Sequence, residues 1–308
     1  LGAIAGSRAA VIGGCKATSN MEAACRYGIP ATGTMAHSWV QAFGNDLDAF
    51  RAYVQNYPEG AVLLVDTIDT LRSGIPAAIA VADELEKDGR ELRGIRLDSG
   101  DLAYLSRRAR TALDEAGHPE VRIFVSNQLD EYLIRSLLSQ EAPVDAFGVG
   151  TKLITGDGDG ALDGVYKLSY LDGEPKQKLS EDPEKATLPG LKTVYRFLNG
   201  DSFELDGIAP VDSGVPDTVI HPVYPEKRTD VSPFDSEELL HSVMDRGSKV
   251  GSGRPVSEIA SYAADRLAKL PPEHRRFEHP HRFRVGLSPD LLELREQVSR
   301  SLREEAGV

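Results

Sequence analysis

The chain has 308 residues, a net charge of −13, an apolar share of 41% and a mean hydropathy of −0.29; this is an ordinary composition, with length for two or three structural units. The acidic balance disfavours broad binding to nucleic acid or acidic membranes, and no apolar run approaches the ~20 residues of a membrane-spanning helix. Two cysteines, Cys15 and Cys25, are too few for a disulfide framework or a zinc knuckle, so a reduced, cytoplasmic setting is expected. Leu1-Gly2-Ala3-Ile4-Ala5 has no basic leader and no long apolar stretch, so a signal peptide is not expected. The first residue is not Met, and we expect further residues ahead of it.

From about residue 20 to 150 short apolar strands alternate with longer amphipathic helices. Ala61-Val62-Leu63-Leu64-Val65 ends at Asp66, and residues 70 to 88 read as a helix rich in Ala, Glu and Leu. Gly94-Ile95-Arg96-Leu97 ends at Asp98. The helix after it places Leu102, Leu105, Ala109, Ala112 and Leu113 on one face and stops at Gly117. Ile123-Phe124-Val125 ends at Ser126 and Asn127, residues 130 to 140 are helical, and Ala146-Phe147-Gly148-Val149 closes the series. The spacing is that of βαβ units, which implies a parallel sheet, either a barrel or doubly wound.

After residue 160 the pattern becomes antiparallel, with Asp172-Gly173 and Asn199-Gly200 as hairpin signals. The tail reads as helical at about 236 to 246, 255 to 270 and 288 to 305, interrupted by Pro271-Pro272 and by a His-rich stretch, His274 to His281. Three segments are expected: an α/β catalytic portion over 1–160, an antiparallel β unit over 161–230, and a helical segment over 231–308 packing on it.

In a barrel, functional side chains gather where strands end, and here those ends are polar. Thr34 and His37 open a helix, where free N–H groups favour anions; His37 either accepts a phosphoryl group or simply caps and packs. Arg96 and Asp98 share a strand face. Arg96 suits a carboxylate or phosphate through its planar fork, while Asp98 and Asp101 suit ribose hydroxyls or Mg²⁺ through water; an ion pair with helix capping is the structural reading of the same residues. Gly148-Val149-Gly150-Thr151-Lys152 is a glycine turn suited to a 5-phosphate, or a plain tight turn. It matches neither the Walker loop nor the dinucleotide fingerprint. Asp66 and Asp69 read as helix caps. For His274, His279 and His281 the neighbouring prolines and arginines favour a surface loop over a metal site.

In order, these segments resemble the nicotinate phosphoribosyltransferases. The likeness rests on Ser7-Arg8-Ala9-Ala10, Ile12-Gly13-Gly14-Cys15, Thr18-Ser19-Asn20, Gly33-Thr34-Met35-Ala36-His37-Ser38, Asp66-Thr67, Arg96-Leu97-Asp98-Ser99-Gly100-Asp101-Leu102, Val125-Ser126-Asn127 and Gly148-Val149-Gly150-Thr151. It continues through Gly164-Val165-Tyr166-Lys167-Leu168, Lys178-Leu179-Ser180-Glu181, Lys185-Ala186-Thr187-Leu188-Pro189-Gly190 and Leu270-Pro271-Pro272-Glu273-His274-Arg275-Arg276.

The resemblance implies an irregular α/β barrel of the type II phosphoribosyltransferases, with a smaller β-containing flanking domain and C-terminal helices. It implies that nicotinate and 5-phosphoribosyl 1-diphosphate give nicotinate mononucleotide and diphosphate, the first step of NAD salvage from nicotinate. ATP hydrolysis with Mg²⁺ would drive the reaction through a phosphohistidine at His37. Thr34 and Arg96 would contact nicotinate; Thr151, Gly150, Gly148, Ser126, Asn127 and Asp98 would hold the phosphoribosyl substrate; the enzyme would be a homodimer. Relative to that family the chain lacks a long N-terminal segment bearing an aromatic residue that stacks on the nicotinate ring.

Three alternatives fit the sequence less well. A nicotinamide or quinolinate phosphoribosyltransferase fits less well, because nicotinamide lacks the carboxylate for Arg96 and quinolinate needs more cations. A non-catalytic fragment of the fold, acting as an interaction module, is separated by an activity assay. A barrel aldolase or lyase wants a Lys within a strand, and the strands read here have none.

Overall fold

A computed structural model describes residues 1–158, 160–162, 164–179, 186–251 and 253–307. Ser180, Glu181 and Lys185, named among the motifs above, lie outside the described residues. The chain divides into two units, Leu1–Leu162 and Asp163–Val308.

The first unit opens with helices α1 (Gly2–Ile12), α2 (Met21–Tyr27), α3 (His37–Phe43) and α4 (Asp46–Asn56). A series of strands and helices follows: β1 (Val62–Leu64), α5 (Ile75–Lys87), β2 (Gly94–Leu97), α6 (Leu102–Glu115), β3 (Arg122–Val125), α7 (Glu131–Ser139), β4 (Ala146–Phe147) and α8 (Thr151–Thr155). The four strands form one parallel sheet in the order β1-β2-β3-β4, as the βαβ spacing predicts. β1 is buried along its whole length, and Ile95 and Leu97 of β2 are fully buried, because helices cover a parallel sheet and remove its solvent face. α6 buries Leu102, Ala103, Ala109 and Leu113 along one stripe.

Register explains where the polar strand ends meet. Leu64 pairs with Arg96, Leu97 with Val125 and Val125 with Phe147. Continued past the strand ends, the same register brings Asp66, two residues beyond Leu64, into line with Asp98, Ser126 and Gly148, each one residue beyond its strand, in a row across the carboxyl edge of the sheet. The ladder continues to this edge through Val65 N–H to the Arg96 carbonyl (3.1 Å), Ser126 N–H to Leu97 (3.0 Å) and Gly148 N–H to Val125 (2.8 Å). A π-helical turn, Thr70–Gly74, leads from β1 into α5. Gly74 is required there, since a Cβ at this position would collide with the Val65 carbonyl.

No strand precedes His37, contrary to expectation. The stretch is extended but makes only an isolated parallel bridge, Thr18 to Ala31, and Pro30 beside it has no N–H to extend a ladder.

The second unit holds two short strands, β5 (Tyr170–Leu171) and β6 (Glu174–Pro175), and then β7 (Lys192–Asn199), β8 (Ser202–Pro210), β9 (Thr218–Ile220), β10 (Arg228–Asp230), β11 (Asp235–Glu238), β12 (Met244–Asp245) and β13 (Ser248–Lys249). Helix α9 (Val256–Ala268), a 3-10 turn (Pro272–Arg275), β14 (Val285–Leu287) and α10 (Pro289–Ala306) complete it. Its main sheet runs β10-β9-β14-β8-β7-β11. Both hairpin signals hold. Asp172-Gly173 turns with positive φ at both residues, and Asn199 pairs with Ser202, which leaves Gly200 (φ 59°) and Asp201 as the turn. α10 is capped by Ser288, whose side chain accepts from Leu291 N–H, and buries Leu291 and Leu292 with Ile220 and Leu287.

Two expectations are corrected here. Residues 236 to 246 are not helical: β11 pairs antiparallel with β7, and β12 and β13 form a hairpin about Arg246-Gly247. The pull comes from distant partners, since Arg266 pairs with Glu237 and the Thr193 hydroxyl donates to Glu238. The segment after residue 231 therefore adds strands to the sheet as well as helices, and β14 inserts between β9 and β8.

Candidate active site

The strand-end row and the start of α3 place five expected residues together. Arg96 projects from β2 and is held on three sides. Its Nε donates to Ser126 Oγ at 2.8 Å, its Nη1 to Thr34 Oγ1 at 2.7 Å, and its Nη2 lies 3.0 Å from Asp98 Oδ1. Ser126, 7% exposed, in turn donates a hydrogen bond to Asp98 Oδ1. His37 is the first residue of α3. Its Nδ1 lies 2.9 Å from Thr67 Oγ1, and its Nε2 lies 3.5 Å from Asp98 Oδ2.

Asp98 therefore serves both cationic neighbours. Burial works to raise its carboxyl, but the Ser126 hydroxyl, the Arg96 guanidinium and His37 outweigh burial and hold it below the usual carboxylate value. Beneath it, Asp66 Oδ2 accepts from Asp98 N–H at 2.7 Å and from Ser99 Oγ at 2.6 Å. This fixes the loop after β2. The other oxygen, Asp66 Oδ1, is buried and has no hydrogen-bond partner among the described residues.

Other expected residues do different work. Asp101 accepts from Tyr104 N–H at 3.0 Å and so caps α6. Lys152 is bound by Asp130 at 2.7 Å and Asp157 at 3.3 Å, so its ammonium is already neutralised. Gly148 lies against Ser126, where an added Cβ would approach the Ser126 Cβ to 3.3 Å. Gly150 and Thr151 start α8. Asn127 and Gln128 hold positive φ values of 93° and 45°, uncommon for residues other than glycine and frequent in loops that shape sites. Asn20 caps α2 by accepting from Ala23 N–H.

Two features escaped the sequence reading. Thr67 contacts His37 at Nδ1, and its signals in the sequence were its place just past a strand end and the Asp66-Thr67 pair, neither of which assigns it a role. Beside Thr34 and Ala36 opens a cavity of about 460 Å³ walled by Trp39, Tyr53 and Tyr57, aromatic residues to which the sequence reading gave no role.

The arrangement is a guanidinium with a hydroxyl beside it, next to an imidazole bracketed by a hydroxyl and a carboxylate. It can receive a planar carboxylate on the guanidinium and an electrophilic phosphorus on the imidazole. Among the described residues no helix is long and apolar enough to cross a membrane, and both cysteines are unpaired.

Comparison with known proteins shows the family. Residues 7–202 match the nicotinate phosphoribosyltransferase family, and residues 191–295 match the nicotinate phosphoribosyltransferase C-terminal domain. The chain is 41% identical to the nicotinate phosphoribosyltransferase of Bacillus subtilis, over 97% of this chain and 64% of that protein. It is 33% identical to that of Dictyostelium discoideum, over 95% of this chain and 59% of that protein. The crystal structure of human nicotinic acid phosphoribosyltransferase superposes with a TM-score of 0.80 at 27% identity, over 95% of this chain and 66% of that one. The chain thus spans about two thirds or less of the length of these relatives. With the α/β parallel sheet, the strand-end row and a family match over most of its length, the chain belongs to the nicotinate phosphoribosyltransferase family.

Proposed function

We propose that the protein is a nicotinate phosphoribosyltransferase, joining nicotinate to 5-phosphoribosyl 1-diphosphate with release of diphosphate, at the expense of ATP. The observation that carries this reading is the seating of Arg96. Its three side-chain contacts engage Nε and one N–H on each terminal nitrogen. A guanidinium has five donors, so among the described residues one N–H remains on each Nη. That pair suits a carboxylate, which nicotinate has and nicotinamide lacks. Thr34 fixes the guanidinium from the side of the aromatic-walled cavity.

His37 is read as the phosphoryl acceptor. The Asp98 carboxylate can only accept, so it claims the Nε2 proton, and the lone pair then lies on Nδ1, which faces the Thr67 hydroxyl. Nδ1 attacks the γ-phosphorus of ATP, the N–P bond forms, and ADP leaves with the electron pair of the broken P–O bond. Asp98 stabilises the charge that develops on the ring, as a carboxylate does for an imidazole in other group transfers. The loops bearing Asn127, after β3, and Gly148, Gly150 and Thr151, after β4, are read as the seat of the 5-phosphate, with backbone N–H groups as donors.

Mg²⁺ fits the residues present, because Asp66 Oδ1, close to Asp98, is a buried acceptor without a partner among the described residues. Asp66 and Asp98 would hold the ion through water, and when bound it would neutralise charge on the departing diphosphate. The unpaired cysteines are consistent with a cytoplasmic setting, and the resemblance further implies a homodimer.

The test is intact mass after incubation with Mg-ATP, beside His37→Ala. A phosphate-sized, acid-labile gain in the parent alone, with nicotinate mononucleotide formed when both substrates are added, supports the reading. No gain in the parent removes the phosphohistidine, and no product in either removes the activity.

A further inference from the structure

The second unit contains a cluster that the phosphoribosyl chemistry does not use. Between α9 and β14 the backbone folds back on itself. His281 N–H donates to the Glu273 carbonyl at 3.0 Å, and His274 Nδ1 lies 2.6 Å from the His281 carbonyl. A carbonyl oxygen only accepts, so Nδ1 of His274 carries the proton and its Nε2 keeps the lone pair. This is how metal-ligating histidines are commonly oriented, with the second nitrogen tied to a carbonyl. The His274 and His281 rings stack with centroids 5.2 Å apart and planes within 12°, and Phe283 meets His274 edge-on at 5.4 Å. One donor atom from each of Glu273, His274 and His281 lies within 4.8 Å of the others. The three border a cavity of about 260 Å³ that reaches Phe203. Arg284, the arginine on its wall, is paired with Glu204, which reduces its repulsion of a second positive charge.

We propose that Glu273, His274 and His281 form a binding site for one divalent transition-metal ion of the Zn²⁺ class. Two imidazole nitrogens and one carboxylate oxygen are a donor set for zinc, cobalt or nickel and a poor one for magnesium or calcium, which take oxygen. Three protein ligands leave a fourth position, open to the cavity, for water. With metal–ligand bonds of about 2.0–2.1 Å, tetrahedral donors stand roughly 3.3 Å apart, so occupancy draws the three side chains inward. His281 is exposed and has room to make that movement. The ion would clasp the 3-10 turn Pro272–Arg275 to the returning segment that feeds β14, a structural role separate from nicotinate chemistry.

The experiment is an equilibrium titration of the chelator-stripped full chain with Zn²⁺, in competition with a chromophoric zinc indicator. It compares the parent with His281→Ala, His274→Ala and His118→Ala. His118 belongs to a second group, with Asp83 and Glu86, and serves as the control. His281→Ala removes an exposed side chain and keeps the backbone bond to Glu273, so circular dichroism should show an unchanged fold. We expect one equivalent bound at micromolar or tighter affinity, at least tenfold weaker in both His281→Ala and His274→Ala and unchanged in His118→Ala. Binding that survives both substitutions, that is lost in His118→Ala, or that is absent from the parent overturns the proposal.

Discussion

Replacing Ser126 with alanine separates the parts of the strand-end site. Its hydroxyl accepts from Arg96 Nε at 2.8 Å and donates to Asp98. Truncation leaves a guanidinium N–H unpaired and removes one of the groups that lower the Asp98 carboxyl. A hydrogen bond to a charged group is worth about 1.5–3 kcal/mol. The Arg96 and Asp98 side chains are 26% and 25% exposed, so water recovers part of the loss and the lower figure applies, roughly a factor of ten. Steady-state kinetics should show KM for nicotinate up about tenfold, with KM for 5-phosphoribosyl 1-diphosphate within about twofold. Burial, which raises the Asp98 carboxyl, then meets less opposition, so the acid limb of kcat/KM should move to higher pH. A rise in KM for the phosphoribosyl substrate alone, with the acid limb unmoved, would refute the reasoning and give Ser126 to that substrate instead.

Two further outcomes follow from the fold. Gly74→Ala forces a Cβ against the Val65 carbonyl; strain of this kind costs about 1–3 kcal/mol and displaces the chain leading to Thr67, so urea unfolding should show the loss together with slower phosphorylation of His37. The Glu237 carboxyl is held below its ordinary value, chiefly by its hydrogen bond from Arg266. A depressed carboxyl contributes stability that is fully present above its unfolded value, near pH 4.3, and is lost as pH falls through the folded one. Melting temperature should accordingly be flat from neutrality to about pH 5 and then drop, and the drop should be shallower in Glu237→Gln.

The parallel strands were legible because β1 is a continuous apolar run and β2 is apolar apart from Arg96, each leading to an aspartate, and a strand buried on both faces has no other pattern to show. Arg96 and Asp98 could be placed on one face by alternation alone. What bound them to Thr34, Ser126 and His37 could not be read, because those contacts depend on the register of three strands and on a helix start far off in sequence. Thr67 was hidden for the same reason: a hydroxyl after a strand-end aspartate reads as a cap until the opposing helix is in place. The misreading of residues 236 to 246 has a different origin. Leu239, Leu240 and Val243 have helical spacing, but β7 offers an unpaired edge and Arg266 a partner for Glu237, and tertiary pairing overrides local preference. His274 and His281 were set aside as loop residues because nothing local announces a chain reversal that stacks their rings.

Asp98 makes the site a coupled one. One of its oxygens engages Arg96 and Ser126, the other faces His37. Any charge added to the imidazole changes what the carboxylate must compensate, and any anion seated on Arg96 competes with that same carboxylate for the guanidinium. On the proposed chemistry, phosphorylation at His37 and nicotinate binding at Arg96 are therefore two ligations of one network. Whatever factor phosphorylation imposes on nicotinate affinity, nicotinate must impose equally on the phosphorylation equilibrium. A row of strand-end residues set by sheet register can supply such coupling without any moving part, since the intermediary is a single side chain whose partners lie on both sides of it.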